Sequence, residues 1–472
     1  MGQPMKKNDA KMLQVISPVD GSVYLERPYH DWATVDAALT LAKKAQKTWR
    51  KTPMAERQEY MRKFLAYMLE NADKIGEELT WQMGRPLSQT PFEIKGGFAE
   101  RINYVIDLAP RALADIVPSD AREGFKRFIR REPVGVVAVI SPWNYPYLTA
   151  VNAIVPALLA GNVVVLKHSF QTPLVGDRFA AGFKAAGLPE GVFQHFDLTD
   201  EDTQKLTEDA RVDFVNFTGS VRVGHIVQKA VSNRFASCGL ELGGKDPAYV
   251  REDADLKNAV ENLVDGAFFN SGQCCCGVER IYVHEKLYDQ FVADFAKLAS
   301  EYKLGNPTQE GINLGPMVRA EQADFVRGQI ADAVKQGAKA LVDESKFPAS
   351  KPGTPYLAPQ VLVDVDHSMG VMTEESFGPV VGIMKVKSDE EAIKLMNDSK
   401  YGLTVSLWTK DADAAEKIGD ELETGTVFLN RCDYVDPGLP WTGVKDSGRG
   451  ASMSVIGFEH LTRPKSYHLR KG

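Results

Sequence analysis

Residues 268–277 read FFNSGQCCCG and place Cys274, Cys275 and Cys276 side by side in a chain with five cysteines. A thiolate is a strong nucleophile, and acyl chemistry built on one needs two helpers: a donor for the developing oxyanion and a base to activate water. Candidates for both are present. In LELGGK, Glu241 follows apolar residues and precedes Gly243 and Gly244. A carboxylate in such surroundings is expected to have a raised pKa, which suits a general base. In SPWNYP, Asn144 lies just past an apolar run and could offer its amide to an oxyanion. Each has a plainer reading: Cys as a small buried hydrophobe, Glu241 as a paired buried acid, Asn144 as a turn residue. No second Cys or His group at metal-ligand spacing accompanies the triplet, and three adjacent side chains are expected to point in different directions, so no metal is expected.

A second group of residues suits a nucleotide. FTGSVRVG puts Gly219, Ser220 and Gly224 where a strand gives way to a helix, a place where backbone N–H groups can hold phosphate. The GxGxxG fingerprint is missing. Lys167 ends the apolar run NVVVLK and is expected at the carboxyl edge of a parallel strand.

The elements that must position these residues follow from periodicity. Residues 31–115 space their apolar side chains three and four apart, as helices do. From FKRFIRREPVGVVAVI onward, expected to be a hairpin feeding a buried strand, short apolar runs alternate with helical stretches to about residue 231. A second alternating series follows residue 243, and the closing GFEHLTRPKSYHLRKG has the character of an edge strand. The fold class is α/β, with two parallel-sheet lobes. At 472 residues the chain exceeds the roughly 250 to 300 residues at which a single core stops growing.

Composition sets the exclusions. A net charge of −7 gives no footprint for nucleic acid, and the apolar runs are too short or too interrupted to cross a bilayer. Few cysteines and no apolar leader point to a cytoplasmic protein.

Taken together, SPWN, LKHSFQTP, FTGSVRVG, LELGGK, GQCCCG, EESFGPV, YGLTVSLWT and GVKDSGRG resemble, in order and spacing, the aldehyde dehydrogenase superfamily over nearly the whole chain. The resemblance implies two Rossmann-like domains plus a small β oligomerisation element. Residues 1–112 and 134–242 would form the cofactor-binding domain, 243–447 the catalytic domain, and 113–133 with 448–472 the oligomerisation element of a homodimer or homotetramer. It implies that Cys275 attacks an aldehyde, that Asn144 and the Cys275 N–H hold the oxyanion, and that Glu241 activates the water that hydrolyses a thioester. Trp143, Lys167, Gly219, Ser220, Gly224, Glu375 and Phe377 would bind the cofactor. Phe170 stands where NAD-preferring relatives often carry a ribose-binding Glu, so NADP stays open beside a slight preference for NAD.

In the same frame Tyr145, Leu148, Thr149 and Asn152 share one helical face and would line the substrate tunnel with Phe269, Cys274, Cys276, Asp433 and Trp441. Trp441, in PWTG where many members have PFGG, is expected to narrow it. With no arginine evident in that set, a neutral or mildly polar aldehyde is expected over an anionic one. Two alternatives remain: acyl transfer to coenzyme A, against which the retained Glu241 argues, and a catalytically silent binding protein on the same scaffold.

Overall fold

The computed structural model describes residues 11–471. Two sheets organise it. The first runs Gly448–Arg449, Ser237–Glu241, Phe214–Thr218, Val136–Ser141, Val163–His168, Phe193–His195 in spatial order, all parallel except the Gly448–Arg449 edge. Val136–Ser141 and Val163–His168 are buried at every position, which explains their uninterrupted apolar runs: helices cover both faces of a parallel sheet. Helices Trp32–Trp49, Met54–Glu70, Ala99–Ala112 and Pro146–Leu159 belong to this lobe and share its core.

The second sheet has seven strands, in the order Lys339–Ala340, Gln360–Val363, Val380–Val386, Val278–His284, Asp246–Val250, Thr404–Trp408, Thr426–Leu429, with only the first antiparallel. Both sheets reverse their strand order part-way. In the first the reversal falls at Val136–Ser141, whose two neighbours lead to opposite halves of the lobe. A crevice opens at the carboxyl end of such a strand, and here that end runs directly into Pro142, Trp143 and Asn144.

The expected hairpin is not formed. Phe125–Pro133 pairs instead over nine residues with Thr462–Arg470, antiparallel, in a separate two-stranded ribbon. Gly135, with φ of 138°, lies between this strand and Val136–Ser141, which enters the parallel sheet. Phe128 stacks on its cross-strand partner Tyr467 at 4.4 Å between centroids, a contact no local pattern could announce across more than 300 residues. Residues 448–461 return to the first lobe: Gly448 and Arg449 pair with Glu241 and Leu240, and Phe458 and Leu461 enter its core.

Candidate active site

The side chains singled out in the sequence, and Thr218 beside them, come from two edges. Asn144, Lys167, Thr218 and Glu241 lie at or beyond the carboxyl ends of first-sheet strands, whereas Gly243, the cysteine loop and residues 375–377 precede strands of the second. Two cavities occupy the space between. One, of about 270 Å³, is lined by Tyr145, Leu148, Thr149, Asn152, Phe269, Cys274, Cys276, Asp433 and Trp441, every residue expected in the tunnel. The other, of about 240 Å³, is lined by Trp143, Asn144, Gly219, Ser220, Glu375 and Phe377. Cys275, Glu241, Thr149, Thr218 and Leu242 line both.

The cysteine loop is built on unusual backbone. Helix Leu256–Phe268 ends at Phe269, and Asn270, Ser271 and Gly272 then adopt φ of 53°, 57° and 68° in succession. Left-handed conformation costs roughly 1–2 kcal/mol per non-glycine residue, so the surroundings must hold it. Asn270 does so by donating to the carbonyls of Asn144 and Gln273, both at 3.2 Å, and Ser271 by donating to Gly315 at 2.8 Å. At Gly272 a Cβ would overlap the Gly378 carbonyl, so only glycine fits.

The turn that follows corrects one expectation. The three sulfurs converge, all within 4.8 Å of one another, and Cys274 and Cys276 both reach Asp433 Oδ1, at 3.2 and 3.0 Å. A tight turn, closed by the Gly277 N–H on the Cys274 carbonyl at 3.2 Å, folds the alternating directions of an extended chain back together. Cys274 and Cys276 are buried and Cys275 is half-buried. The thiols share protons unequally. Cys275 is drawn down to about 6 by hydrogen bonds from Cys274 and then Cys276, against desolvation. Cys274 is pushed up to about 12, first by its bond to Cys275, and Cys276 rises as well.

Glu241 sits in the wall shared by the cavities, accepting from Thr218 Oγ1 at 3.2 Å, and burial raises its pKa as the apolar sequence around it suggested. Asn144 is buried and points its amide at the Gln273 carbonyl, 3.3 Å away, beside the cysteine loop.

Around the second cavity Trp143 and Phe377 meet edge to face at 5.7 Å. Glu375 Oε1 accepts the Gly244 N–H at 3.1 Å, burial raises its carboxyl to about 8, and a Cβ on Gly243 would overlap that carboxylate. Ser220 precedes helix Val221–Val231 with no side-chain cap, so the first N–H groups of the helix are open. Gly219 and Gly224 are less available than expected: their N–H groups already bond Glu241 and Ser220 carbonyls. A Cβ at Gly224 would come within 2.7 Å of Leu242, so its packing reading holds. Lys167 lines neither cavity.

Sequence reasoning missed several residues. Arg101 lines the tunnel, overturning the expectation of no arginine there. It arrives from helix Ala99–Ala112 and donates through Nη1 to the Leu148 carbonyl at 2.9 Å and Asn152 Oδ1 at 3.1 Å; Glu100 lies beside it. Buried Glu93 pairs with Arg85 and accepts the Tyr147 N–H at 2.8 Å, capping the helix that carries the tunnel face. Lys245 pairs with Glu279, whose carboxylate accepts the Ser376 and Phe377 N–H groups at 2.9 Å and fixes the loop bearing Glu375. Gln322 completes the second cavity. No local motif marks these residues.

A cysteine and a desolvated carboxylate in the wall common to two cavities agree with what the chain matches. The aldehyde dehydrogenase family model matches residues 5–467. The chain is 33% identical to 3,6-anhydro-alpha-L-galactose dehydrogenase from Vibrio sp. (strain EJY3), over 99% of this chain and 98% of that one. It is 34% identical to NADP-dependent glyceraldehyde-3-phosphate dehydrogenase from Streptococcus equinus, over 96% and 94%. Among solved structures, NAD-dependent aldehyde dehydrogenase from Sinorhizobium meliloti superposes with a TM-score of 0.93 at 31% identity, covering 99% of this chain and 93% of that chain. The chain therefore belongs to the aldehyde dehydrogenase family and is an NAD(P)-dependent oxidoreductase that converts an aldehyde to a carboxylic acid.

Proposed function

We propose that Cys275 is the nucleophile, Asn144 the oxyanion donor and Glu241 the hydrolytic base of this oxidation. The observation that carries the reading is that Cys275 and Glu241 stand in the wall common to both cavities, so one side chain can meet substrate from one side and cofactor from the other. The Cys275 thiolate adds to the carbonyl carbon, and the Asn144 amide with the Cys275 N–H stabilises the oxyanion. A nicotinamide held in the second cavity by Trp143, Glu375 and Phe377 would supply the hydride acceptor, and loss of hydride from this carbon would leave a thioester on Cys275. Glu241 then takes a proton from water, whose oxygen attacks the thioester; the acid departs and the thiolate returns. A retained, desolvated base in the shared wall favours hydrolysis over transfer to coenzyme A.

The residues of the second cavity fit the cofactor. Trp143 and Phe377 supply aromatic walls, Glu375 a carboxylate for ribose hydroxyls, and the uncapped helix after Ser220 open N–H groups for phosphate. We assign Gly219 and Gly224 a packing and turn role beside it. On this reading the first lobe, including residues 448–461, binds the cofactor, and the second is catalytic.

For substrate we propose a neutral, mildly polar aldehyde. Arg101 does not reverse this, because its Nη1 is committed to Leu148 and Asn152 and Glu100 stands beside it, while Leu148, Phe269, Val435 and Trp441 keep much of the wall apolar. In the ribbon of Phe125–Pro133 and Thr462–Arg470 the first strand is bridged on its other side by Ile116, whereas the outer side of Thr462–Arg470 pairs with no described strand, an open edge that supports a homodimer or homotetramer. No helix among the described residues is long and apolar enough to cross a membrane, and five free thiols fit a reducing, cytoplasmic setting. The test is formation of reduced cofactor with a panel of aliphatic, aromatic, hydroxylated and anionic aldehydes. Activity should vanish in Cys275→Ser; a far higher kcat/KM for succinic semialdehyde than for neutral aldehydes would overturn the substrate reading.

A further inference from the structure

Outside the lining of the second cavity, two cations have no hydrogen-bond or ion-pair partner among the described residues. Lys167, at the end of strand Val163–His168, is nine-tenths buried, yet its ammonium makes no hydrogen bond or ion pair with any described residue. Three residues later Phe170 is 38% exposed and carries the guanidinium of Arg319 over its ring, 5.0 Å from the centroid. Arg319 comes from the other lobe. It immediately precedes helix Ala320–Lys335, on which Gln322, one turn further, lines the cofactor cavity and donates to the Ser376 carbonyl. Arg319 likewise has no ion pair among the described residues.

These facts fix both place and chemistry. The place is the carboxyl edge of a first-sheet strand, next to the switch-point strand, where open α/β sheets bind nucleotides. Stacking on an aromatic ring holds a guanidinium in a defined plane with its donors outward, the arrangement that suits a phosphate monoester. The acidic groups acting on Lys167 are Asp200 and Asp197, the second already spent on Arg27 at 2.6 Å; Glu321 acts on Arg319. The residue three positions after Lys167, under the Arg319 guanidinium, is the apolar Phe170, so that position offers no carboxylate to clasp a ribose diol.

We propose that Arg319, stacked on Phe170 and backed by Lys167, receives the 2′-phosphate of NADP, making this chain prefer NADP to NAD. The inference rests on the cofactor reading of the second cavity and replaces the slight preference for NAD drawn from sequence.

Fluorescence titration of the full-length protein with NADPH and NADH, without aldehyde, tests it. NADPH should bind roughly ten times or more tighter than NADH, as a charge-assisted contact implies. Arg319→Ala should remove that difference by weakening NADPH while changing NADH less than about twofold. A titration with adenosine 2′,5′-bisphosphate against 5′-AMP should show the same difference and the same loss. Equal affinity for NADPH and NADH in the unaltered protein overturns the proposal and leaves the cofactor cleft standing. Equal weakening of both ligands in Arg319→Ala also overturns it, because the residue would then act only through the fold. Failure of both dinucleotides to bind overturns the cleft reading and the proposal together.

Discussion

The thiol triplet makes a quantitative claim about reactivity. Cys275 is held down to about 6 from a usual value of 9.0, while the other four thiols are all pushed up: Cys274 first by its bond to Cys275, Cys276 first by its bond to Cys274 and then to Cys275, and Cys238 and Cys432 by burial. At pH 6 a thiol of pKa about 6 is about half ionised, against about 0.1% for one at 9. Lower basicity makes each thiolate less nucleophilic, by about 15- to 30-fold over three pH units. The net advantage for Cys275 at pH 6 is then roughly 15- to 30-fold over an ordinary thiol. Iodoacetamide alkylation, followed by peptide mass spectrometry from pH 5 to 10, should therefore show Cys275 modified first, with a rate that rises through a midpoint near 6. In Cys274→Ala/Cys276→Ala the donors are gone and the midpoint should climb toward 9. A midpoint of 8 to 9 in the unaltered protein would refute the proton-sharing argument, as would a midpoint unmoved in the double variant.

Three further outcomes follow from other parts of the site. Glu241→Gln should lower steady-state turnover by roughly 10²- to 10⁴-fold while keeping a stoichiometric burst of reduced cofactor; in the unaltered enzyme, deacylation should increase with pH through the raised pKa of Glu241, since only its ionised form takes a proton. In Gly243→Ala the new Cβ displaces the Glu375 carboxylate, and cofactor affinity by calorimetry should fall roughly 10- to 100-fold, the loss of about one to two hydrogen bonds to a charged group. Arg85→Met leaves Glu93 buried without its ion-pair partner, so urea unfolding should show a loss of about 3–5 kcal/mol; a loss below about 1 kcal/mol would contradict the pairing argument.

What the sequence disclosed and what it concealed divide along physical lines. Helical spacing put Tyr145, Leu148, Thr149 and Asn152 on one face, and that face does line the tunnel, because a helix fixes relative side-chain direction whatever packs around it. The apolar runs Val136–Ser141 and Val163–His168 read directly as buried parallel strands. Arg101 was invisible because it enters the tunnel from a different helix, some 50 positions before the residues it contacts. Glu93, capping a helix from outside that helix, carries no local signature either. The ribbon was misjudged as a hairpin because strand character says nothing about which partner a strand will choose. The convergence of the cysteine triplet is hidden for a related reason: alternation of side chains holds for extended backbone, and the turn closed by the Gly277 N–H on the Cys274 carbonyl takes the triplet out of it.

The central claim is a covalent acyl intermediate on one particular sulfur. Glu241→Gln, incubated with NADP and a reactive aldehyde and then acid-quenched, isolates that intermediate for fragment mass spectrometry of the peptide spanning residues 252–280. The acyl mass should appear on Cys275 in an amount matching the burst of reduced cofactor. Reduced cofactor formed with no adduct, or an adduct carried by Cys274 or Cys276, would contradict it.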